Sequence, residues 1–263
     1  MPATTDTAAP LRAFGVIGLA AGLLAGLFGV GGGIIMVPAM VAVGVGQHRA
    51  HATSLLAILV IALAGVARFA GSGEVDWAIG AAVAMGAVAG STLGSKAMGR
   101  MSPQLLRGVF IVLLVGAGVR MAIGGEVTGG VGLDGVVTWL LALLIGLAAG
   151  FAAGVAGVGG GVIIVPALVF LLGVEQHRAE GTSFMVIVFT ALAATRVNLA
   201  AGRASLREGL TMGGTGALST VVGATVALEM EPALLTRIFG IFALAAAARL
   251  AWSLRGRADG AEA

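Results

Sequence analysis

Two stretches of this 263-residue chain carry nearly the same sequence. The first runs Gly26-Leu-Phe-Gly-Val-Gly-Gly-Gly-Ile-Ile-Met-Val-Pro38, and the second runs Gly154-Val-Ala-Gly-Val-Gly-Gly-Gly-Val-Ile-Ile-Val-Pro166. A Gln-His-Arg-Ala segment follows each copy, beginning at Gln47 and at Gln176. The copies lie 128 residues apart at the glycines and 129 apart at this segment. Because the offset hardly changes, we interpret the chain as two homologous halves that align almost end to end.

The composition indicates that the chain lies in a membrane. Hydrophobic residues make up 59% of it and charged residues 10%, with a mean hydropathy of +1.07, which leaves too little polar surface for a water-soluble domain. Residues 13–48 and 135–174 contain no Asp, Glu, Lys or Arg, and each run exceeds the roughly 20 residues of one spanning helix. Strands of alternating polarity are absent from the sequence. We therefore predict an all-α integral membrane protein.

Each half is predicted to contain a Gly-rich hairpin, either broken or re-entrant, and three spanning helices. The spanning helices correspond to apolar stretches near one membrane thickness, at 54–70, 77–95, 104–123, 182–201, 209–228 and 233–252. The predicted boundaries are a disordered N-terminal tail at 1–10, a first repeat at 11–124, an extracytoplasmic linker at 125–136, a second repeat at 137–254 and a cytoplasmic tail at 255–263.

The charged loops predict which side of the membrane each one faces, because loops rich in Lys and Arg stay in the cytoplasm. The loops expected inside contain Lys96 with Arg100 and Arg107, Arg203 with Arg207, and Arg255 with Arg257. The loops expected outside contain Glu74 with Asp76, Glu126 with Asp134, and Glu229 with Glu231. These sides alternate along the chain, and both termini are then cytoplasmic.

Equivalent positions in the two halves carry opposite charges. At an offset of 129 residues, Glu74 corresponds to Arg203, Arg100 to Glu229, and Glu126 to Arg255. Since basic loops stay inside, a second copy with reversed charges must be inserted upside down. The sequence therefore predicts two inverted-topology repeats, an arrangement typical of secondary transporters, with a site near the middle of the membrane between them.

The Gly-rich blocks are the predicted binding elements. A hairpin in residues 11–46 returns to its starting side, which lets the N-terminus lie inside and the Glu74 loop outside. Glycines permit a sharp turn, and a half-helix that begins there directs its N–H groups and positive dipole end into the gap. An anion fits that environment, whereas the alternative is that the glycines only allow close helix packing. The predicted binding residues are Gly31, Gly32, Gly33, Gly159, Gly160 and Gly161.

A second set of candidate residues lies just after each glycine block. Arginine binds oxyanions through its planar fork, hydroxyl groups can complete the anion's shell, and histidine can relay protons near neutral pH. The predicted anion ligands are Arg49, Thr53, Ser54, Arg178, Thr182 and Ser183, and the candidates for proton coupling are His48, His51 and His177. The alternative is an interfacial loop whose bases meet lipid headgroups and whose hydroxyls cap the next helix.

Several functional classes do not fit the sequence. The chain has no Cys and only three His, and no intramembrane Asp or Glu pair suits metal or acid–base chemistry, so neither a catalytic site nor a metal site is predicted. The glycine block lacks the Lys-Ser/Thr of a phosphate-binding loop. The basic residues lie between apolar segments and serve topology rather than nucleic-acid binding. We expect no enzyme activity and no cofactor; the sequence carries no signal for an oligomeric state.

The motifs resemble the TauE/SafE sulfite exporter family of bacterial membrane proteins. The resemblance rests on the two glycine blocks, the His-Arg-Ala-x-x-Thr-Ser stretch, Gly73-Glu-Val-Asp-Trp77 and the Gly-rich helix ending near Lys96, and it covers residues 11–252. It implies transport of sulfite, a sulfonate such as sulfoacetate, or thiosulfate across the bacterial inner membrane, driven by an ion gradient. The second copy departs from the first in having Glu180 at the position of His51, which argues against a symmetric histidine relay.

The residues and the resemblance together predict a secondary transporter. An oxyanion would bind between the two glycine turns, and rocking of one repeat against the other would expose it alternately to the two sides, with export as the expected direction. The partners expected are the sulfur oxyanion, a coupling proton or another ion, and the lipid bilayer. A scaffold or assembly protein that does not transport and a passive anion channel are the alternatives.

Overall fold

Helices form nearly all of the described structure. The computed structural model describes residues 10–97, 103–123, 135–156 and 160–258, and these ranges contain no β-strand. The helices are α1 (Leu11–Phe28), α2 (Gly33–Ala42), α3 (Gln47–Gly71), α4 (Trp77–Ala97), α5 (Pro103–Ile123), α6 (Val136–Ala156), α7 (Gly161–Leu172), α8 (Gln176–Ala200), α9 (Leu206–Glu229) and α10 (Pro232–Ala258). The predicted all-α fold is confirmed.

Six of these helices are long and apolar enough to cross a membrane. They are α1, α3, α8 and α9 over their full lengths, α6 over Val136–Ala153 and α10 over Pro232–Arg249. Shorter apolar segments lie in α4, at Trp77–Leu93, and in α5, at Leu114–Ile123. This pattern agrees with a multi-pass membrane protein.

The helices α2 and α7 are half-helices. They contain 10 and 12 residues, which at 1.5 Å per residue span about 15 and 18 Å, roughly half of a bilayer core. Each has a proline inside it, Pro38 in α2 and Pro166 in α7. A proline removes one backbone donor and kinks the helix, but it is the short length of these segments that prevents a full crossing.

The helix order repeats along the chain. The half-helices begin at equivalent glycines, and each is followed by a 25-residue helix that begins with glutamine. The predicted tail at 1–9 and residues 125–134 of the predicted linker lie outside the described residues. In the C-terminal segment α10 continues to Ala258, past the predicted end of the second repeat at residue 254.

The equivalent helices α3 and α8 run in opposite directions. The hydroxyl of Thr53, near the start of α3, accepts a hydrogen bond of 3.0 Å from the N–H of Ser205, which follows the end of α8. The hydroxyl of Thr182, near the start of α8, accepts one of 2.9 Å from the N–H of Asp76, which follows the end of α3. Each helix therefore begins beside the end of the other, as an inverted repeat requires.

Helices of one half pack directly on helices of the other. Helix α1 packs on α9 and α4 packs on α6, with glycines at both contacts. A Cβ atom at Gly22 would overlap the carbonyl oxygen of Gly216, and one at Gly90 would overlap the carbonyl oxygen of Leu147. Such close backbone contact is the usual role of small residues between membrane helices. The two halves consequently share one packed interior instead of forming separate domains.

Candidate functional site

The break between α1 and α2 is built from glycines in the left-handed region. Gly29 ends α1 with φ +67°, and its N–H donates to the carbonyl of Ala25 at 2.7 Å. Gly31 and Gly32 follow with φ +73° and +76°. Only glycine adopts these angles without steric cost. The chain can therefore reverse within four residues and begin α2 at Gly33.

The break before α7 has the same local geometry. Gly160, with φ +76°, precedes α7 as Gly32 precedes α2. Its carbonyl accepts from the N–H groups of Ile163 and Ile164 at 3.0 and 3.2 Å. The carbonyl of Gly32 accepts in the same way from the third and fourth residues beyond it. The predicted ligand Gly159 lies outside the described residues.

Each half-helix begins with amide groups that its own turn leaves unbonded. The first N–H groups of a helix have no partner within the helix; in α2 these belong to Gly33 and Ile34, and in α7 to Gly161 and Val162. They lie at the positive end of the helix dipole. Two short helices thus present donors from buried backbone.

The two breaks touch each other. A Cβ atom at Gly161 would lie 2.9 Å from the Cα of Val30, in the first break, and 2.8 Å from the Cδ1 of Ile187. One at Gly31 would lie 3.3 Å from Ile187 and 3.4 Å from Ile58. Both isoleucines are fully buried near the midpoints of α3 and α8. The breaks therefore meet level with the midpoints of α3 and α8, and a symmetric isoleucine pair closes the space beside them.

The predicted hydroxyl ligands have structural partners, and one of them reaches a break. Ser183 donates a 2.8 Å hydrogen bond to the carbonyl of Gly29. Ser54, its equivalent, donates to the carbonyl of His51 in its own helix at 2.9 Å. The oxygens of Thr53 and Thr182 accept the inter-helix hydrogen bonds described above. The structure thus brings Ser183 together with the first break and uses the two threonines to join α3 and α8 to the opposite half.

The predicted arginines lie at helix ends. Arg49 forms an ion pair with Glu208 in the first turn of α9, with 2.7 Å between Nη2 and Oε1, and Arg178 is exposed. Arg49 precedes Ile58 by nine residues, about 14 Å along the helix axis. The structure therefore does not place Arg49 at the glycine turns.

The three histidines differ in environment. His48 is exposed and His51 is half-buried. His177 is buried, and its Nε2 lies 2.9 Å from the carbonyl oxygen of Ala227 in α9. His177 therefore links the start of α8 to the end of α9, whereas His48 faces outward from α3.

One buried polar group was missed by the sequence reasoning. Glu180 is fully buried and accepts a 2.7 Å hydrogen bond from Gln176, whose own oxygen accepts from Thr236 at 3.3 Å. The sequence did carry a signal, since Glu180 replaces His51 inside a repeated motif. From the sequence alone, however, that difference indicates only a loss of symmetry between the halves.

An apolar groove lies between α4 and α8, apart from the breaks. Its volume is about 440 Å³, and its walls are Ala81, Ala84, Met85, Val88, Met185 and Phe189. It offers no charged or hydrogen-bonding side chain, and a small oxyanion needs both charge complementarity and donors. The groove is therefore not a candidate anion site.

Comparison with known proteins identifies the family. The family model described as Sulfite exporter TauE/SafE matches residues 2–121 and 142–262. The chain belongs to this family. The two matched segments agree with two homologous halves, and the resemblance seen in the sequence motifs is confirmed.

Curated relatives of this TauE/SafE protein carry the name "probable membrane transporter protein". One from Xylella fastidiosa strain Temecula1 is 31% identical over 253 residues, which cover 90% of this chain and 92% of the relative. One from Haemophilus influenzae is 48% identical over 60 residues, 20% of this chain and 23% of the relative. YunE of Bacillus subtilis is 31% identical over 113 residues, covering 40% and 41%. This chain is thus a multi-pass membrane transporter and not an enzyme.

Removal of the Ser183 hydroxyl should destabilise this TauE/SafE protein more than removal of its equivalent. In Ser183→Ala the carbonyl of Gly29 loses a buried donor, which costs about 1–3 kcal/mol of unfolding free energy. In Ser54→Ala the lost bond lies within one helix, and we expect a loss below about 1 kcal/mol. Denaturant unfolding of both variants in detergent measures the difference. Equal losses would show that the Ser183 bond does not support the break.

Proposed function

We propose that this protein is a secondary transporter that exports a small sulfur oxyanion: sulfite, a sulfonate such as sulfoacetate, or thiosulfate. The proposed anion site lies between the two helix breaks. The observation that carries the proposal is the direct approach of Gly161 to Val30, which joins the breaks of the two halves level with the midpoints of α3 and α8. Intramembrane backbone without helical hydrogen bonds is tolerated where it is enclosed by protein or lines a cavity. Transporters built from inverted repeats bind their substrates at such places.

The chemistry of the breaks favours an anion over a cation. The N–H groups at the starts of α2 and α7 have no partner within their own helices and can act as donors, and both helix dipoles direct their positive ends toward the same region. A sulfite or sulfonate headgroup presents several acceptor oxygens on one atom, so donors from two directions can bind it together. The hydroxyl of Ser183, which is bound to Gly29 in this structure, is available as a further donor when the break opens.

The antiparallel relation of α3 and α8 supports alternating access. The hydrogen bond from Ser205 to Thr53 ties one end of the helix pair, and the equivalent bond from Asp76 to Thr182 ties the other. Rocking of one half against the other opens these two ends in turn. In the arrangement described here Ile58 and Ile187 are packed against the breaks, so anion entry requires their displacement.

The family description, sulfite exporter, supports the proposed substrate class and direction of transport. In this proposal the protein lies in the bacterial inner membrane, as its family membership suggests, with both termini in the cytoplasm, which the charged loops favour. An ion gradient drives export in this proposal. A proton relay through His48, His51 or His177 stays a prediction, and transport in liposomes that ignores an imposed pH gradient would contradict it.

Sulfite flux into liposomes tests the proposed function. We expect saturable uptake of labelled sulfite, competition by a sulfonate, weaker competition by sulfate, and acceleration by unlabelled sulfite inside the vesicles. Internal sulfite can accelerate uptake only if the protein is a carrier that returns with a bound anion. Rapid flux without this acceleration would therefore identify a passive channel. Flux of a sulfonate without sulfite flux would change the substrate and leave the mechanism. The absence of flux for every anion tested would favour a scaffold protein.

A further inference from the structure

Glu180 lies against the first helix break. It is fully buried in α8, one turn beyond the start of that helix at Gln176. A Cβ atom at Gly29 would lie 2.7 Å from the Cα of Glu180. Ser183, about one turn further along α8, binds the carbonyl of the same glycine. Any movement of this break relative to α8 therefore changes the surroundings of Glu180.

The carboxylate of Glu180 is only partly satisfied. Its Oε1 accepts from the amide of Gln176 at 2.7 Å, and its Oε2 is buried with no hydrogen-bond partner. The amide oxygen of Gln176 is in turn bound by the hydroxyl of Thr236 in α10. An ionised carboxylate in this environment is costly, whereas a bound proton removes the charge. Ionisable groups inside membrane helices commonly belong to proton or ion pathways.

Four helices, α3, α4, α7 and α10, pack against α8. In the described part of the chain, no charged group on these helices forms an ion pair with Glu180. In α3, Arg68 donates to Thr225 and Ser72. After α3, Glu74 has a buried, unpartnered Oε2 and a carbonyl that contacts Gly181, while Asp76 accepts from the N–H of Ile79.

The apolar segment Trp77–Leu93 of α4 and all of α7 contain no charged residue. Near the start of α8 the charged groups are Glu175, Arg178, Glu229, Glu231 and Arg237, all exposed, and His177, whose Nε2 lies at the Ala227 carbonyl. The other charged residue of α8, Arg196, is exposed near the opposite end of the helix.

We propose that Glu180 binds the proton that couples transport to the pH gradient. This inference rests on the proposed function and names its coupling site. Protonated Glu180 fits the closed packing against Gly29, and its ionisation requires that the break move and admit water. Since α8 begins on the predicted extracytoplasmic side, the proton exchanges with that side. The equivalent position in α3 holds His51, another titratable residue, at the opposite end of the antiparallel pair.

A proton fits this site better than a metal cation does. The amide N–H of Gln176 points at one carboxylate oxygen, and the amide oxygen is occupied by Thr236. One free oxygen remains, whereas a cation such as Na⁺ or Ca²⁺ needs several oxygen ligands. Within the described residues no group of three or more His, Asp or Glu side chains could hold a metal ion.

The test compares Glu180→Gln with Glu175→Gln in liposomes. Glutamine preserves the size of the side chain and removes the proton site, and Glu175 is an exposed glutamate just before α8. We expect Glu180→Gln to lose sulfite transport driven by a pH gradient and the matching proton flux seen by an internal pH dye. Exchange of labelled for unlabelled sulfite without a gradient should persist, because exchange does not require proton release. Glu175→Gln should behave like the wild type in both assays.

Unchanged pH-driven transport in Glu180→Gln would overturn the proposal. The proposal would also be overturned if a Na⁺ gradient alone drove transport by the wild type and Glu180→Gln lost that transport. Infrared titration of the purified protein provides a readout that is independent of transport. A protonated carboxyl band should be present in the wild type and in Glu175→Gln and absent from Glu180→Gln. If all three proteins give the same band, Glu180 is not the proton site, even if the variant is inactive. If the wild type moves no anion, the proposed function fails while the infrared result still decides whether Glu180 binds a proton.

Discussion

Replacement of Gly90 by leucine is expected to prevent formation of the native helix bundle. A Cβ atom at this position would overlap the carbonyl oxygen of Leu147 and lie 2.7 Å from the N of Phe151. Both contacts are with the backbone of α6, which cannot rotate away as a side chain can. Overpacking of a core with flexible neighbours already costs about 1–3 kcal/mol. A leucine here must push two helix backbones apart along a contact that joins the two halves of the chain.

The measurement is the yield of monodisperse protein in detergent, followed by thermal unfolding of any folded fraction. Gly214→Leu is the matched control, because Gly214 lies in a spanning helix, is exposed, and has no neighbour within 4 Å of its Cβ position. We expect the control to resemble the wild type and Gly90→Leu to aggregate. Wild-type yield and unfolding temperature for Gly90→Leu would show that α4 and α6 do not pack as closely as the structure has them.

The helix breaks could be predicted from the sequence because their cause is local. A run of glycines before Val-Pro permits left-handed angles at Gly32 and Gly160 whatever surrounds them, and the in-register repeat makes a chance occurrence improbable. The antiparallel relation of α3 and α8 also agrees with the reversed charges of equivalent loops, such as Glu74 and Arg203. Each of these features depends on one segment or on one offset.

The partners of the polar residues could not be predicted, because they lie far away along the chain. The sequence around Thr53 and Thr182 gives no sign that their partners are Ser205 and Asp76. These partners come close to the threonines only when α3 and α8 pack together. Arg49 was expected to bind an anion, yet its nearest anion is the carboxylate of Glu208. The repeat gave no hint of this pair, since the position equivalent to Glu208 in the first half is Ile79.

The burial of Glu180 could not be predicted either, because it also depends on a residue far away along the chain. One turn from a helix start is an ordinary place for an exposed glutamate, and the neighbouring Glu175 is indeed exposed. Gly29, which belongs to the other half, packs directly against Glu180. Features that arise from one half of the chain were thus predictable, whereas features that arise from contact between the halves required the structure.

A single methyl group at Gly161 is expected to impair anion transport strongly. In Gly161→Ala the new Cβ would lie 2.9 Å from the Cα of Val30 and 2.8 Å from the Cδ1 of Ile187. The isoleucine can shift its terminal atom, but the Val30 backbone belongs to the other break and must move as a unit. If the breaks form the site, overpacking of about 1–3 kcal/mol at this point lowers anion affinity by roughly 5- to 150-fold.

Gly214→Ala separates this effect from the general consequences of replacing a helical glycine. Both glycines lie in helices, but a Cβ at Gly214 meets no atom within 4 Å. We expect the control to transport sulfite at the wild-type rate, and Gly161→Ala to remain folded while its half-saturating sulfite concentration rises or its flux disappears. Wild-type transport by a folded Gly161→Ala would place the anion elsewhere, because a methyl group wedged between the breaks cannot leave a site there unchanged. The contact between the breaks would then serve helix packing alone, which is the ordinary role of small residues in membrane proteins.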